Sequence, residues 1–189
     1  MARPLSPQKH AALLEAAVQT VAESGLSATT ASIAKRAGVA VGTLFTYFPT
    51  KEQLLNEVYL MLKQDMSDLL VAGYPKDAEF RTQILHIWRG YTEWSLRNPE
   101  GKRVLRLLTV SELLTSETIA STPEALNQAD KMFDNAIKQS LFVTESKAFI
   151  YAVIQNISDA TSEQIAKHPA DKEALLELGF GMMWRAISA

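Results

Sequence analysis

The side chains able to do covalent or metal chemistry are few and scattered in this sequence. The three histidines, His10, His86 and His168, are too far apart for local metal-ligand spacing. There is no cysteine, which removes disulfides, thiolate metal sites, iron–sulfur clusters and thiol catalysis. Gly179-Phe180-Gly181 lacks the preceding strand and the remaining glycine of a phosphate-binding loop. Neither a nucleophile elbow nor a paired-acid arrangement stands out. The expectation is a protein that binds rather than catalyses, with no metal and no cofactor.

Two groups of residues carry binding chemistry. Residues 29–55, TTASIAKRAGVAVGTLFTYFPTKEQLL, read as helix, tight turn, short helix, proline stop and capped helix. Ala34 and Ala37 are small enough for close helix contact, and Val39 and Leu44 can fill the wedge between the two helices. Helices joined in this way offer the second to the major groove of DNA. A helix start adds free N–H groups and partial positive charge for phosphate. The same spacing also fits an ordinary corner in an all-α core. The second group is aromatic: Trp88, Tyr91 and Trp94 on one helix, with Tyr59, Phe133, Phe149 and Tyr151 on others. Such a stripe serves as core, or as the wall of a pocket for flat organic compounds.

Proline and glycine punctuate the elements that must position these residues. Ser6-Pro7 opens a helix that Gly25 closes; short helices follow over 30–37 and 41–48. Thr50 to Gln53 forms a capping box, so the next helix starts at Lys51 and runs to about Leu70. Five more helices are expected: from Asp77 to Arg97, after Asn98-Pro99, from Pro123 to near Leu141, from Thr144 to Lys167, and from Asp171 to Ser188. No sustained alternation of the kind strands need is present. The predicted fold is all-α with about nine helices.

The chain has 189 residues, 47% apolar and 21% charged, with a net charge of −2. That suits one compact domain or a small module joined to a larger one. Residues 1–52 carry five bases and three acids, whereas 53–189 carry fourteen and eighteen. A mildly basic head on an acidic body is compatible with nucleic-acid binding by the head. No run suits a membrane span and the start is unlike a signal peptide, so a cytoplasmic protein without membrane partners is expected.

The head is also recognisable. Residues 10–62 closely resemble the N-terminal domain of TetR-family transcriptional repressors, through Thr-Thr, Ile-Ala, Ala-Gly-Val, Gly-Thr-Leu-aromatic, Tyr-Phe and Lys-Glu with the following Leu-Leu. The resemblance implies a three-helix DNA-binding head, residues 1–52, on a helical ligand-binding and dimerisation body, residues 53–189. A narrower resemblance, to RamR-type repressors of a multidrug-efflux activator, rests on Met-Ala-Arg-Pro, Ala-Leu-Leu-Glu-Ala-Ala, Gly-Thr-Leu-Phe, Leu-Lys-Gln-Asp, Val-Ser-Glu and Met-Trp-Arg-Ala. Carried over residue by residue, the resemblance assigns Thr30, Thr43, Tyr47 and Lys51 to DNA, largely to phosphate. Val41, Gly42, Phe45 and Thr46 fill groove-facing positions. Val41 replaces a commoner polar residue, Ala40 a capping serine and Phe45 a commoner tyrosine. Val41, Phe45 and the Thr46 methyl could then touch thymine methyl groups. Lys35 and Arg36 are either phosphate contacts or a solvated face, and Arg3 could reach a minor groove.

For the body, the resemblance implies a ligand site with Tyr59 and Trp88 first, then Ile84, Phe133, Tyr151 and Ile154. Asp65, Asp68 and Glu112 are candidate partners for a ligand cation. The last two helices carry the stripes Phe149, Val153, Ile157 and Leu176, Phe180, Met183, Trp184. Those residues either form core or, as the resemblance implies, pair with a second copy. The resulting reading is a homodimer that binds double-stranded operator DNA as an inverted repeat and is released by a small, largely apolar effector. The alternative is a helical ligand-binding or carrier protein without DNA-binding activity.

Overall fold

The computed structural model describes residues 5–189. These form ten α-helices and no strand: α1 (Pro7–Ser24), α2 (Thr30–Arg36), α3 (Val41–Tyr47), α4 (Lys51–Val71), α5 (Phe80–Arg97), α6 (Pro99–Thr109), α7 (Ser116–Ala120), α8 (Glu124–Lys138), α9 (Lys147–Lys167) and α10 (Lys172–Ile187). The local signals act as read. The Ser6 hydroxyl accepts the Lys9 N–H at the start of α1, and Gly25, at φ 66°, ends it. The Thr29 hydroxyl caps α2 by accepting from the Ser32 N–H. Gly38, at φ 68°, adopts the left-handed backbone that turns the chain towards α3, while the Val39 N–H returns to the Ala34 carbonyl at 3.0 Å. At α4 the capping box is reciprocal: Gln53 N–H to Thr50 Oγ1 at 3.1 Å, and Thr50 N–H to Gln53 Oε1 at 3.2 Å.

Three differences from expectation have local causes. The extra helix, α7, is a single capped turn, with the Thr115 hydroxyl accepting the Thr118 N–H. Its polar TSET start has no apolar period to announce it. Helix α5 begins at Phe80, not Asp77, because the Gln83 amide donates to the carbonyls of Lys76 (2.8 Å) and Ala78 (3.0 Å) and holds that segment as turns. Helix α8 stops at Lys138 because Ser140 takes a positive φ of 56° and the Leu141 N–H turns back to Ala136 O at 3.0 Å; the chain beyond then pairs with the C-terminus. There Val143 N–H donates to Ile187 O at 2.9 Å, and Ala189 N–H to Leu141 O at 3.1 Å.

The chain divides into two compact units, but not at residue 52. The first contains the residues up to Asp65 together with Asn98–Thr122; the second contains Met66–Arg97 and Pro123–Ala189. In the first, α1 packs on α2 and α6, and α2 on α3. Asn56 ties α4 to the α6–α7 connection: its amide donates to Leu113 O at 2.8 Å, and its oxygen accepts the Thr115 N–H at 3.0 Å. These contacts explain why α6 and α7, distant in sequence, fold with the head. In the second unit, α5, α8, α9 and α10 enclose a core that includes Ile84, Trp88, Phe133, Ile150, Leu176, Phe180 and Met183.

Candidate nucleic-acid interface

The α2–α3 corner separates an inner from an outer face. Ile33, Ala34, Leu44 and Phe48 are fully buried, so the corner is held by its own apolar wedge. Val39 and Ala37 are half-buried at the turn. Outward stand Val41 (39% exposed), Phe45 (43%), Gly42 and Thr46, with Thr30, Thr43 and Tyr47 half-exposed. All seven therefore lie at least partly at the surface of one corner, and α3 presents an accessible face without distortion of the core.

Hydrogen bonds give several of these side chains a second task. The Thr46 hydroxyl donates to the Gly42 carbonyl one turn back, at 2.9 Å. The Tyr47 hydroxyl accepts the Ser6 N–H at 2.9 Å and so anchors the start of α1. The half-exposed Lys51 ammonium donates to Leu26 O at 2.6 Å. That carbonyl belongs to the short 3₁₀ turn between α1 and α2. Its charge closes a turn within the head, a role that spacing did not reveal. Arg36 pairs with Glu23 and reaches Gln19 at 3.4 Å, whereas Lys35 is exposed. Arg3 lies outside the described residues. His10, on α1, meets Glu57 of α4 at 2.9 Å, with its ring 4.9 Å from that of Phe48. The exposed Glu52 carboxylate is held below its ordinary range by its own backbone amide and by Thr50.

The aromatic residues divide between the units. In the first, Tyr59 is buried, with the Lys63 ammonium 5.4 Å over its ring and Thr122 hydrogen-bonded to its hydroxyl. Burial raises the Tyr59 hydroxyl above its usual pKa and lowers Lys63 below its own. The sequence reading missed Lys63, although its i+4 spacing from Tyr59 was the available signal. The Tyr59 face thus already holds a cation. In the second unit, Ile84, Trp88 and Phe133 are core residues and Ile154 is half-buried against them. Tyr151 is more exposed: its hydroxyl donates to Asp130 at 2.8 Å. Burial pushes Asp130 up, but bonds from Lys147 and Tyr151 bring it below the usual carboxylate range. Asp65, Asp68 and Glu112 are all exposed.

An open cavity of about 320 Å³ in the second unit is lined by Phe80, Lys131, Met132, Asn135, Gln139 and Leu141, among others. None of the six expected ligand residues lines it. The Trp88 indole N–H is buried without an acceptor.

The last two helices also require a correction. Leu176, Phe180 and Met183 are buried within the protomer's own core, so they are not available to a second chain. Val153, Ile157 and Trp184 are half-buried against that core. Outward on these helices stand Phe149 (61% exposed), Leu178 (57%) and Met182 (52%), beside the exposed small residues Ala152, Ala160, Ala174 and Ala186.

An all-helical chain whose N-terminal helix–turn–helix presents α3 outward has the TetR-like fold. Comparison with known proteins gives the same result. Residues 13–58 match the family described as "Bacterial regulatory proteins, tetR family". The HTH-type transcriptional regulator BetI of Stenotrophomonas maltophilia (strain R551-3) is 26% identical over 121 residues, 54% of this chain. The match spans 62% of that relative's length. A TetR family transcription regulator from Marinobacter aquaeolei VT8 superposes with a TM-score of 0.80 at 25% identity, covering 96% of each chain. LfrR from Mycobacterium smegmatis, solved in complex with proflavine, shares the fold at a TM-score of 0.62 and 14% identity, over 96% of this chain and 98% of that one. No helix among the described residues is long and apolar enough to cross a membrane.

Proposed function

We propose that this protein is a TetR-type DNA-binding transcriptional regulator, acting as a homodimeric repressor in the cytoplasm and released from its operator by a small molecule. The observation that carries the reading is the α2–α3 corner: a buried wedge with Val41, Gly42, Phe45 and Thr46 outward, within a segment that matches the tetR family. Thr30, Thr43 and Tyr47 flank that face at positions suited to phosphate. A second copy of the chain covers Phe149, Leu178 and Met182, since three large apolar side chains on adjoining helices exceed what a terminal hairpin normally leaves to water. Two copies related by a two-fold axis would read an inverted repeat.

The effector reading is supported by the open cavity of about 320 Å³ whose lining includes Phe80, Met132 and Leu141, a concave and partly apolar site of the kind small molecules enter. A ligand cation is disfavoured at Tyr59, whose ring face Lys63 already occupies. The proflavine held by LfrR makes an acridine dye a reasonable first probe, and the RamR-like sequence features point to the same class of flat drug-like compound.

The test is selection of sites from a random duplex library by the full chain, followed by footprinting. The expected result is an enriched inverted repeat protected on both half-sites, with proflavine lowering occupancy. If no sequence is enriched over bulk DNA, the regulator reading fails and the ligand-binding alternative takes its place.

A further inference from the structure

We infer that α3 reads thymine through its C5 methyl group, so that 5-methylcytosine can stand in for thymine at those positions and deoxyuracil cannot. This deepens the reading of α3 as the groove-facing element and rests on it. Reading a base edge by paired hydrogen bonds needs particular side chains: Arg or Lys for guanine, Asn or Gln for adenine, Asp or Glu for cytosine. Residues 39–48 contain none of these. Of the three polar side chains on α3, two have hydrogen bonds within the head: the Thr46 hydroxyl donates its proton to Gly42 O, and the Tyr47 hydroxyl accepts the Ser6 N–H. Thr43 and Tyr47 flank the groove-facing positions on the phosphate side, which leaves the centre of the face to Val41, Gly42, Phe45 and Thr46.

What α3 presents is apolar. Val41 and Phe45 are one helical turn apart, so they share a face, and both are exposed. Next to Phe45, Thr46 keeps its methyl as the group without a hydrogen bond. Between Val41 and Phe45, Gly42 has no side chain, and a Cβ there would meet nothing within 4 Å. The helix can therefore approach a groove floor closely at that point. Among the groups that base pairs present in the major groove, the thymine methyl is the apolar one, and side chains of this kind recognise it by contact. A second consequence follows from the same chemistry. Cytosine methylated at C5 places an identical methyl at that position, so methylation of a C–G pair would create a contact where plain cytosine offers none.

The experiment uses the full chain and the site selected above. Each thymine of the half-site is replaced in turn by deoxyuracil, which removes the methyl and leaves every hydrogen-bonding group in place. Affinities are read by fluorescence anisotropy. At one or more positions per half-site, deoxyuracil should weaken binding about fourfold, the worth of one buried methyl group. At the same positions 5-methyl-dC should bind about fourfold tighter than dC. Val41→Ala and Phe45→Ala, which leave the buried wedge of Ile33, Ala34, Leu44 and Phe48 in place, should each abolish the thymine–deoxyuracil difference at one position, with circular dichroism unchanged. If every deoxyuracil substitution stays within twofold, or if discrimination survives in both variants, the inference is wrong while the regulator reading stands. If no site is enriched at all, both fall.

Discussion

Lys51 shows how a residue can match a DNA-contact position and yet serve the fold. Its ammonium donates to the Leu26 carbonyl, 25 residues earlier, and so closes the turn that leads into α2. A charged donor on a backbone carbonyl outlasts competition from water better than a neutral one, and losing it leaves that carbonyl to solvent. Lys51→Met should therefore lower stability by about 1 kcal/mol in urea melts. The slope of log affinity against log salt should be unchanged, since no phosphate loses its counter-charge. A slope reduced by about one unit would show instead that the ammonium leaves Leu26 for the DNA backbone. Tyr47 is a related case: its hydroxyl holds the Ser6 N–H, so its removal would loosen the start of α1.

Between elements, α9 and α10 approach closely at Gly179. A Cβ built at Gly179 would lie 2.2 Å from Thr161 Oγ1 and 3.0 Å from its Cγ2, so the helices meet at a point where only hydrogen fits. Thr161 cannot easily turn aside, because its hydroxyl donates to Ile157 O at 2.8 Å. Gly181, by contrast, faces only the tip of Arg185, at 3.6 Å. Gly179→Ala should then cost about 2 kcal/mol through overpacking, despite the gain in helix propensity. Adding Thr161→Ala should restore part of that loss. Denaturant midpoints of the two single variants and the double variant decide the matter. A neutral Gly179→Ala would mean that the helices separate without penalty.

For the whole molecule, the decisive quantity is the outward apolar surface of α9 and α10. Leu178 and Met182 lie one turn apart on α10, and both are more than half exposed. Placing carboxylates there leaves the protomer core untouched but makes burial against a second copy costly, since each charge would be desolvated without a partner. Leu178→Glu combined with Met182→Glu should give a monomer in sedimentation at micromolar concentration, with helicity intact. Binding to an inverted repeat should drop at least tenfold, because two unlinked heads no longer share an effective concentration. A dimer that survives both substitutions places the contact on another face.

Much of the head was legible in the sequence because its signals are local. A serine or threonine cap, a proline at the first helical position and a glycine at positive φ each act within about four residues. Ser6, Thr50 and Gly38 therefore did what their spacing implied. The body was less legible. Helix α10 is apolar on more than one side, so its period alone does not say which stripe enters the core. Packing against α5 and α9 decided it, turning Leu176, Phe180 and Met183 inward and leaving Leu178 and Met182 outward. The same holds for long polar side chains, which reach across the fold to partners that no local pattern names. Lys51 found a carbonyl, Asn56 clamped a distant loop and Lys63 covered Tyr59. Caps and turns are settled by energies within one turn of chain, so sequence determines them. The choice between two apolar faces, or the destination of a flexible cation, depends on groups brought near only by folding, so tertiary structure decides it.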